Sequence, residues 1–309
     1  MSCDVRSALK SGIARLREAN VPSFTLAAEL LLLHALGRDR TWLYAHPEEP
    51  VSDADAQRYF ALLARRVAGE PTQHLTGKQE FWGLVFEVTP GVLIPRPETE
   101  HVVEVALDRI ALRELRNGRR QITSGTGLRV ADVGTGSGCI AIALAKELPE
   151  ATLYATDISA AALEVARRNA TRHGVGERIR FIECNLLVGT DVWPGACRGE
   201  AGEKTPLFDL IASNPPYIGR REAATLPRDV REHEPECALY GGEEGYELYA
   251  DLIAQSARHL KPGGILVLEL GHNSLAAVQP LLEGHPWTNV SVTNDLAGIA
   301  RVIAAELGT

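Results

Sequence analysis

The chain has 309 residues, 45% hydrophobic and 23% charged, with a net charge of −8. That length holds one large domain plus a small one, and the apolar fraction is enough for a proper core. The acidic balance disfavours an enzyme that grips duplex nucleic acid, since such proteins carry a basic footprint.

Near the N-terminus, Asp4, Arg6 and Lys10 interrupt any apolar run, so no signal peptide is expected. Residues 1 to about 75 read as helical. Val5, Leu9, Ile13 and Leu16 recur at helical spacing. A second helix runs from about Thr25 to Leu36 and stops at Gly37. Its Leu30–Leu33 run is bounded by Glu29 and His34, far short of a membrane span. A third opens at Ser52-Asp53-Ala54-Asp55, puts Ala56, Tyr59, Phe60, Leu63 and Val67 on one face, and stops at Gly69. A small helical bundle over residues 1–75 follows, either a packing domain or one that docks a macromolecular substrate.

From Phe81 the period changes. Phe81–Val88, a turn at Thr89-Pro90-Gly91 and Val92–Ile94 read as a short hairpin in a linker over residues 76–96. A helix from Pro97 or Glu98 to about Leu115 opens the larger domain, 97–309, and Asn117–Arg120 begins a basic loop. Strand and helix then alternate: strands at Leu128–Val133, Thr152–Thr156, Ile179–Glu183, Phe208–Ala212 and Ile265–Leu270, and helices at Cys139–Leu148, Ala160–His173 and Tyr246–Leu260. Lys261–Gly264 reads as the stop of the last helix, and Val290–Thr293 with Ala300–Ala305 as a closing pair of strands. The pattern is that of a doubly wound α/β sheet with helices on both faces. Gly189, Pro194, Gly195, Gly199, Gly202 and Pro206 mark residues 188–206 as a surface insertion. The cysteines Cys3, Cys139, Cys184, Cys197 and Cys237 show no paired spacing and the 9 histidines no ligand spacing, so neither a metal site nor a disulfide framework is expected, and a cytoplasmic setting is.

Asp132-Val133-Gly134-Thr135-Gly136-Ser137-Gly138 lies where the first strand of the sheet becomes a helix. Its glycines let the backbone turn sharply and approach a ligand. Asp157 closes the next strand, where a carboxylate accepts from ribose hydroxyls, and Ser159 is free to cap the helix that follows. The spacing is G-x-G-x-G rather than the dinucleotide G-x-G-x-x-G. It resembles the loop of the Rossmann-like class I S-adenosylmethionine-dependent methyltransferases, although the loop alone also admits NAD.

Ser213-Asn214-Pro215-Pro216-Tyr217 follows a buried strand directly, at the same sheet edge. Asn214 offers a side-chain carbonyl as acceptor, and the Pro215 carbonyl can serve as a second. Pro216 stiffens the loop, and Tyr217 offers an aromatic face. Two acceptors and a flat wall suit an NH2 group on a planar carbon, either a base or an amide. The lone pair of such a nitrogen is delocalised. A neutral hydrogen bond contributes about 0.5–1.5 kcal/mol net, whereas alignment for in-line attack contributes roughly 7–11 kcal/mol. Positioning therefore dominates, and no strong general base is required.

With these motifs the chain resembles the HemK/PrmC family of protein-(glutamine-N5) methyltransferases. The likeness runs through Gly91–Glu100, Asp132–Gly138, Ser213–Ile218, Glu234-Pro235, Ala238-Leu239, Gly241-Gly242 and Asp295–Gly298. It implies that Gly134, Thr135, Gly136, Ser137, Gly138 and Asp157 hold S-adenosyl-L-methionine, with Asn185 and Leu186 at the adenine, where the family has an acidic and an aromatic residue. It implies that Asn214 touches cofactor and substrate, and that Asn214, Pro215, Pro216 and Tyr217 clamp a glutamine amide. The partner implied is a class 1 peptide chain release factor, modified at its Gly-Gly-Gln tip by a monomeric enzyme without direct contact to nucleic acid. Two alternatives stay open: an N6-adenine or N2-guanine nucleic-acid methyltransferase, which shares the tetrapeptide, and a non-catalytic cofactor-binding scaffold, suggested by Asn185-Leu186.

Overall fold

A computed structural model describes residues 4–116, 125–188 and 208–308. The basic loop from Asn117 to Arg120, residues 189–206 of the expected insertion, Cys3 and Cys197 lie outside the described residues. The chain forms two compact units, Met1–Lys78 with Leu226–His233, and Gln79–Thr225 with Glu234–Thr309.

The first unit contains α1 (Val5–Glu18), α2 (Phe24–Leu36), α3 (Arg40–Ala45), α4 (Asp53–Val67) and α5 (Thr72–Thr76). Side chains cap three of these: Asp4, Asp39 and Ser52 accept the backbone N–H of Ser7, Trp42 and Asp55. Gly37 ends α2 in the left-handed region at φ 63°. Leu16, Leu31, Leu32, Tyr59 and Leu63 form the centre of the core. The expected face of α4 is off by one residue at its end: Val67 is exposed, and Arg66 is buried in its stead. The Arg66 guanidinium can go inside because it has acceptors there, the carbonyl of Glu70 at 3.1 Å and Asp229 Oδ2 at 3.0 Å. Asp229 belongs to the returning segment Leu226–His233, which the contiguous domain 97–309 read from sequence does not anticipate.

The second unit begins with a hairpin of β1 (Lys78–Phe81) and β2 (Leu84–Glu87). Its turn is Trp82-Gly83, at φ 54° and 66°, not Thr89-Pro90-Gly91. Both φ values are positive, as a two-residue hairpin turn of type I′ requires. Val92–Ile94 are unpaired, though Val92 and Ile94 are buried. The hairpin packs into the second unit: Phe81 and Phe86 enter the main core, and Glu100 accepts the Trp82 N–H at 2.7 Å.

A single 3-10 turn, Pro97–Thr99, leads into α6 (Glu100–Arg116). Then come β3 (Arg129–Val133), α7 (Cys139–Glu147), β4 (Thr152–Asp157), α8 (Ala160–Arg172), β5 (Ile179–Glu183), β6 (Phe208–Ser213) and β7 (Ile218–Gly219). After α9 (Arg228–His233) of the first unit follow α10 (Glu236–Leu239), β8 (Tyr240–Gly242), α11 (Glu247–His259), β9 (Leu260–Glu269), α12 (Leu275–Val278), β10 (Trp287–Asn294) and β11 (Ala300–Leu307). The main sheet has seven strands in the order β10-β11-β9-β6-β3-β4-β5. β9, β6, β3, β4 and β5 are parallel; on the β9 side β11 runs antiparallel to β9, and β10, antiparallel to β11, returns to the direction of the other five. Alternate residues feed two apolar clusters: Val130, Leu210 and Val267 one, Ala131, Ile211 and Leu266 the other. That period of two is what a sheet covered on both faces demands. Lys261–Gly264 comes just after the end of α11 at His259, as expected, and forms a bulge inside β9, where the register jumps between Phe208↔Leu260 and Leu210↔Ile265. Pro262 cannot donate to the ladder there, and Lys261 reaches Asp209 at 2.6 Å.

In the first unit Gly12 lies directly beneath the Tyr59 hydroxyl, so a Cβ there collides with that oxygen. Gly12→Ala is expected to destabilise the protein by about 1–3 kcal/mol in urea unfolding of the full chain. Adding Tyr59→Phe should recover part of the loss, because it removes the colliding atom. An unchanged urea midpoint for Gly12→Ala would contradict this packing.

Candidate active site

The sheet order reverses beside β3, which has β6 on one side and β4 on the other. In such sheets the crevice for a ligand opens at the carboxyl ends of those strands. The glycine loop occupies that place. Gly134, Gly136 and Gly138 have φ of 72°, 54° and 84°. Open space faces the α-carbons of Gly134 and Gly136, whereas a Cβ on Gly138 would lie 3.1 Å from Ala166 Cβ. The first two glycines thus expose backbone, and the third lets α7 approach α8. The loop is pinned below by Asp132, 1% exposed, whose Oδ2 accepts from Thr135 Oγ1 at 2.6 Å and from the Ala141 N–H at 3.0 Å. Asn169, fully buried, ties it to the hairpin by donating to the carbonyls of Ser137 at 2.9 Å and Glu87 at 3.0 Å. Ser159 caps α8. Asp157 is already engaged, its oxygens taking the N–H groups of Gly136 at 2.8 Å and Ser159 at 2.9 Å. A carboxylate keeps further acceptor positions beyond these.

The loop after β6 is held from three sides. Ser213 Oγ donates to the Val133 carbonyl at 2.7 Å, locking β6 to the start of the glycine loop. Asn214 Nδ2 donates to Thr99 Oγ1 at 3.0 Å, and the Tyr217 hydroxyl to Glu269 Oε1 at 3.2 Å. Beyond it, β7 pairs with β8 in a small parallel sheet. A Cβ on Gly241 would strike the Pro216 carbonyl oxygen, and one on Gly245 the Tyr217 carbonyl oxygen, so both glycines serve close backbone approach. A Cβ on Gly271 would lie 2.9 Å from the Tyr217 ring. Arg96, together with the Ile94 N–H, binds the buried Glu234, at 2.5 and 3.3 Å. That carboxylate orders the loop preceding α6.

One cleft gathers these parts. Gly134, Gly136, Asp157, Asn185, Leu186, Asn214 and Pro216 line it. Of the other expected site residues, Thr135, Ser137 and Pro215 are buried, Gly138 heads α7, and the Tyr217 hydroxyl is turned onto Glu269. Val92, Leu93, Pro235, Ala238, Tyr240 and Leu248 are also part of the wall. Leu186 sits at φ 55°, a strained backbone for a branched side chain, and its carbonyl is held by Thr156 Oγ1 at 2.9 Å. Exposed backbone at two glycines, a carboxylate, an amide at Asn185 and an apolar wall are a donor set that fits an adenosyl ligand.

The site is rich in buried acid. Burial pushes Asp132 up to about 7 against the hydrogen bonds from Thr135 and Ala141. Burial also raises Asp157. Glu269 is driven to about 7, again by burial, opposed by the nearby hydroxyls of Thr99 and Tyr217. Such carboxyls favour a cationic ligand, which restores the charged form that burial disfavours. Among the described residues no group of His, Cys, Asp or Glu is placed to hold a metal ion, and no helix is long and apolar enough to cross a membrane.

Because Asp132 is raised in the folded state, its contribution to stability is full below the unfolded carboxylate range and is lost as pH rises through about 7. Asp132→Asn should therefore gain thermal stability relative to the parent as pH rises from the acid side to about 7. A Tm difference that stays flat with pH would contradict the assignment. Gly271→Ala should displace the Tyr217 ring, visible as altered tyrosine absorption and fluorescence, and an unperturbed signal would contradict that packing.

Two family models match the chain: the PrmC N-terminal domain over residues 7–77 and the Methyltransferase small domain over residues 120–228. A release factor glutamine methyltransferase of Koribacter versatilis is 41% identical over 305 residues, 99% of each chain. One of Chlorobaculum tepidum is 42% identical over 287 residues, 93% of this chain and 92% of the relative. Among solved structures, the hMettl16 catalytic domain in complex with an RNA hairpin aligns with a TM-score of 0.54 at 17% identity, covering 83% of this chain and 81% of that one. This last likeness concerns the fold, a class I methyltransferase sheet. At these identities over nearly the whole length, the chain belongs to the family of release factor glutamine methyltransferases.

Proposed function

We propose that the protein methylates the side-chain amide nitrogen, N5, of the glutamine in the Gly-Gly-Gln motif of class 1 peptide chain release factors, using S-adenosyl-L-methionine. The observation that carries this reading is the placement of Asn214 and Pro216 in the wall of the same cleft as Gly134, Gly136 and Asp157. The cofactor, when bound, supplies an electrophilic methyl group on a sulfonium. Gly134 and Gly136 offer backbone to its amino-acid portion, Asp157 accepts from the ribose hydroxyls, and Asn185 with Leu186 takes the adenine.

In this reading Asn214 Oδ1 and the Pro215 carbonyl accept the two N–H groups of the glutamine amide. Both bonds draw on the same NH2 group, so they fix its plane and turn the nitrogen toward the methyl donor. Each contributes only about 0.5–1.5 kcal/mol, so the rate comes mainly from alignment. No general base is assigned, because the surplus proton can leave after methylation, when the nitrogen is far more acidic. The helical N-terminal unit is assigned to docking the release factor, and the enzyme to acting as a monomer in the cytoplasm without gripping nucleic acid.

Transfer of labelled methyl from the cofactor to a purified release factor tests the proposal. We expect label in the parent factor and none in a variant with the tip glutamine replaced by alanine. Asn214→Ala should lower kcat by about a hundredfold, the scale set by misaligned reactants. Equal labelling of the glutamine-free factor, or label in DNA or RNA and none in protein, would sink it.

A further inference from the structure

Two loops in the cleft wall come from different strands. The glycine loop follows β3, and the loop Cys184–Val188 follows β5. β4 lies between those strands, and its Thr156, fully buried, bonds to both loops. The Thr156 carbonyl takes the N–H groups of Gly134 at 2.9 Å and Thr135 at 2.8 Å. The Thr156 hydroxyl donates to the Leu186 carbonyl at 2.9 Å.

Leu186 needs such a hold. At φ 55° it sits in the left-handed region, where Cβ crowds the backbone and a branched side chain is disfavoured. The loop is closed around it: the Val188 N–H returns to the Asn185 carbonyl at 3.0 Å, and the Leu187 N–H goes to Gln255 Oε1 at 3.0 Å. Neither bond fixes the Leu186 carbonyl. Besides Thr156, that oxygen has Cys184 Sγ at 3.3 Å, a weak donor. Asn185 and Leu186 both line the cleft, so the backbone conformation at Leu186 decides where this part of the wall stands.

We infer that Thr156 is a positioning residue whose hydroxyl, by holding Leu186 in the left-handed conformation, sets the Asn185-Leu186 wall for the adenine of the cofactor. Its carbonyl meanwhile sets the glycine loop. The two duties are separable. Valine keeps the shape and the backbone carbonyl of threonine and lacks only the hydroxyl. Thr156→Val should therefore free the adenine side and leave the glycine loop in place. Leu186 then relaxes out of the strained region in the free protein. Affinity falls in proportion to the fraction of molecules that no longer hold the competent form.

The inference rests on the cofactor placement proposed above, so its test has an arm without ligand. In the ligand-free protein labelled with 13C and 15N, the Leu186 Cα and Cβ shifts report its backbone φ. They should leave left-handed values in Thr156→Val and keep them in Thr156→Ser. The Gly134 and Thr135 amide signals should hold their positions in both. Calorimetry with S-adenosyl-L-homocysteine and with adenosine is the second arm. Thr156→Val should weaken both ligands by the same factor, about two- to tenfold, the scale of one hydrogen bond. Thr156→Ser should restore most of that loss. In the transfer assay the effect should fall on the KM for the cofactor and not on kcat. Glycine enters the left-handed region freely, so in a Leu186→Gly background the loss from Thr156→Val should shrink. Leu186 shifts indifferent to Thr156→Val, or the parent's affinity for both ligands in that variant, would overturn the inference. So would a loss seen with S-adenosyl-L-homocysteine and absent with adenosine. Failure of the parent to bind either ligand would instead count against the proposed cofactor, and the chemical shifts would still decide whether Thr156 sets the loop.

Discussion

Parallel pairing brings Val133 of β3, Ser213 of β6 and Leu268 of β9 to one level of the sheet. Past that level each strand turns away, and its backbone must find new partners. The site is built from how this happens. The glycine loop finds them in the Thr156 carbonyl, which takes the N–H groups of both Gly134 and Thr135. The loop after β6 finds them in Thr99, Glu269 and the small sheet with β8. A slip of one residue between β6 and either neighbour would turn every side chain to the opposite face. It would separate Asn214 from the glycine loop and from Glu269 together.

Much of this architecture is legible in the residues themselves. The alternating elements between Leu128 and Leu270 carry strong periodic signals, and the structure has strands and helices at those places. The glycine loop and the Asn214–Tyr217 tetrapeptide are short contiguous motifs, so their meeting at one edge follows once the strands are parallel. What is not legible depends on distant partners. Pro90-Gly91 is the louder local turn signal, but the hairpin turns at Trp82, whose left-handed backbone is supported by Glu100 taking its N–H. Arg66 is buried because Asp229, far along the chain, returns to meet it. Asn169, Thr99 and Glu269 belong to no motif. A single acidic residue at a strand end says nothing until register shows which loop it underlies.

The cleft combines weak individual bonds with costly burial. Asp132 and Glu269 are 1% exposed, and both are held well above the usual carboxylate range. A protein seeking stability alone would gain by replacing them with apolar residues. Here each directs a short hydrogen-bonded chain to a loop that touches the cleft, so the penalty goes into fixing geometry. Tyr217 illustrates the division of labour: it is expected to offer an aromatic face, and the structure shows its hydroxyl anchored on Glu269 and its ring packed on Gly271. A clamp stiffened in this way suits a reaction whose barrier falls chiefly through alignment.

The central claim is that this cleft methylates the glutamine of a Gly-Gly-Gln tip. Mass spectrometry of release-factor peptides from cells with and without the protein tests it most directly. The account predicts that the tip peptide gains the mass of one methylene group on its glutamine only where the protein is present. A tip peptide of identical mass in both, or one methylated in both, would contradict it.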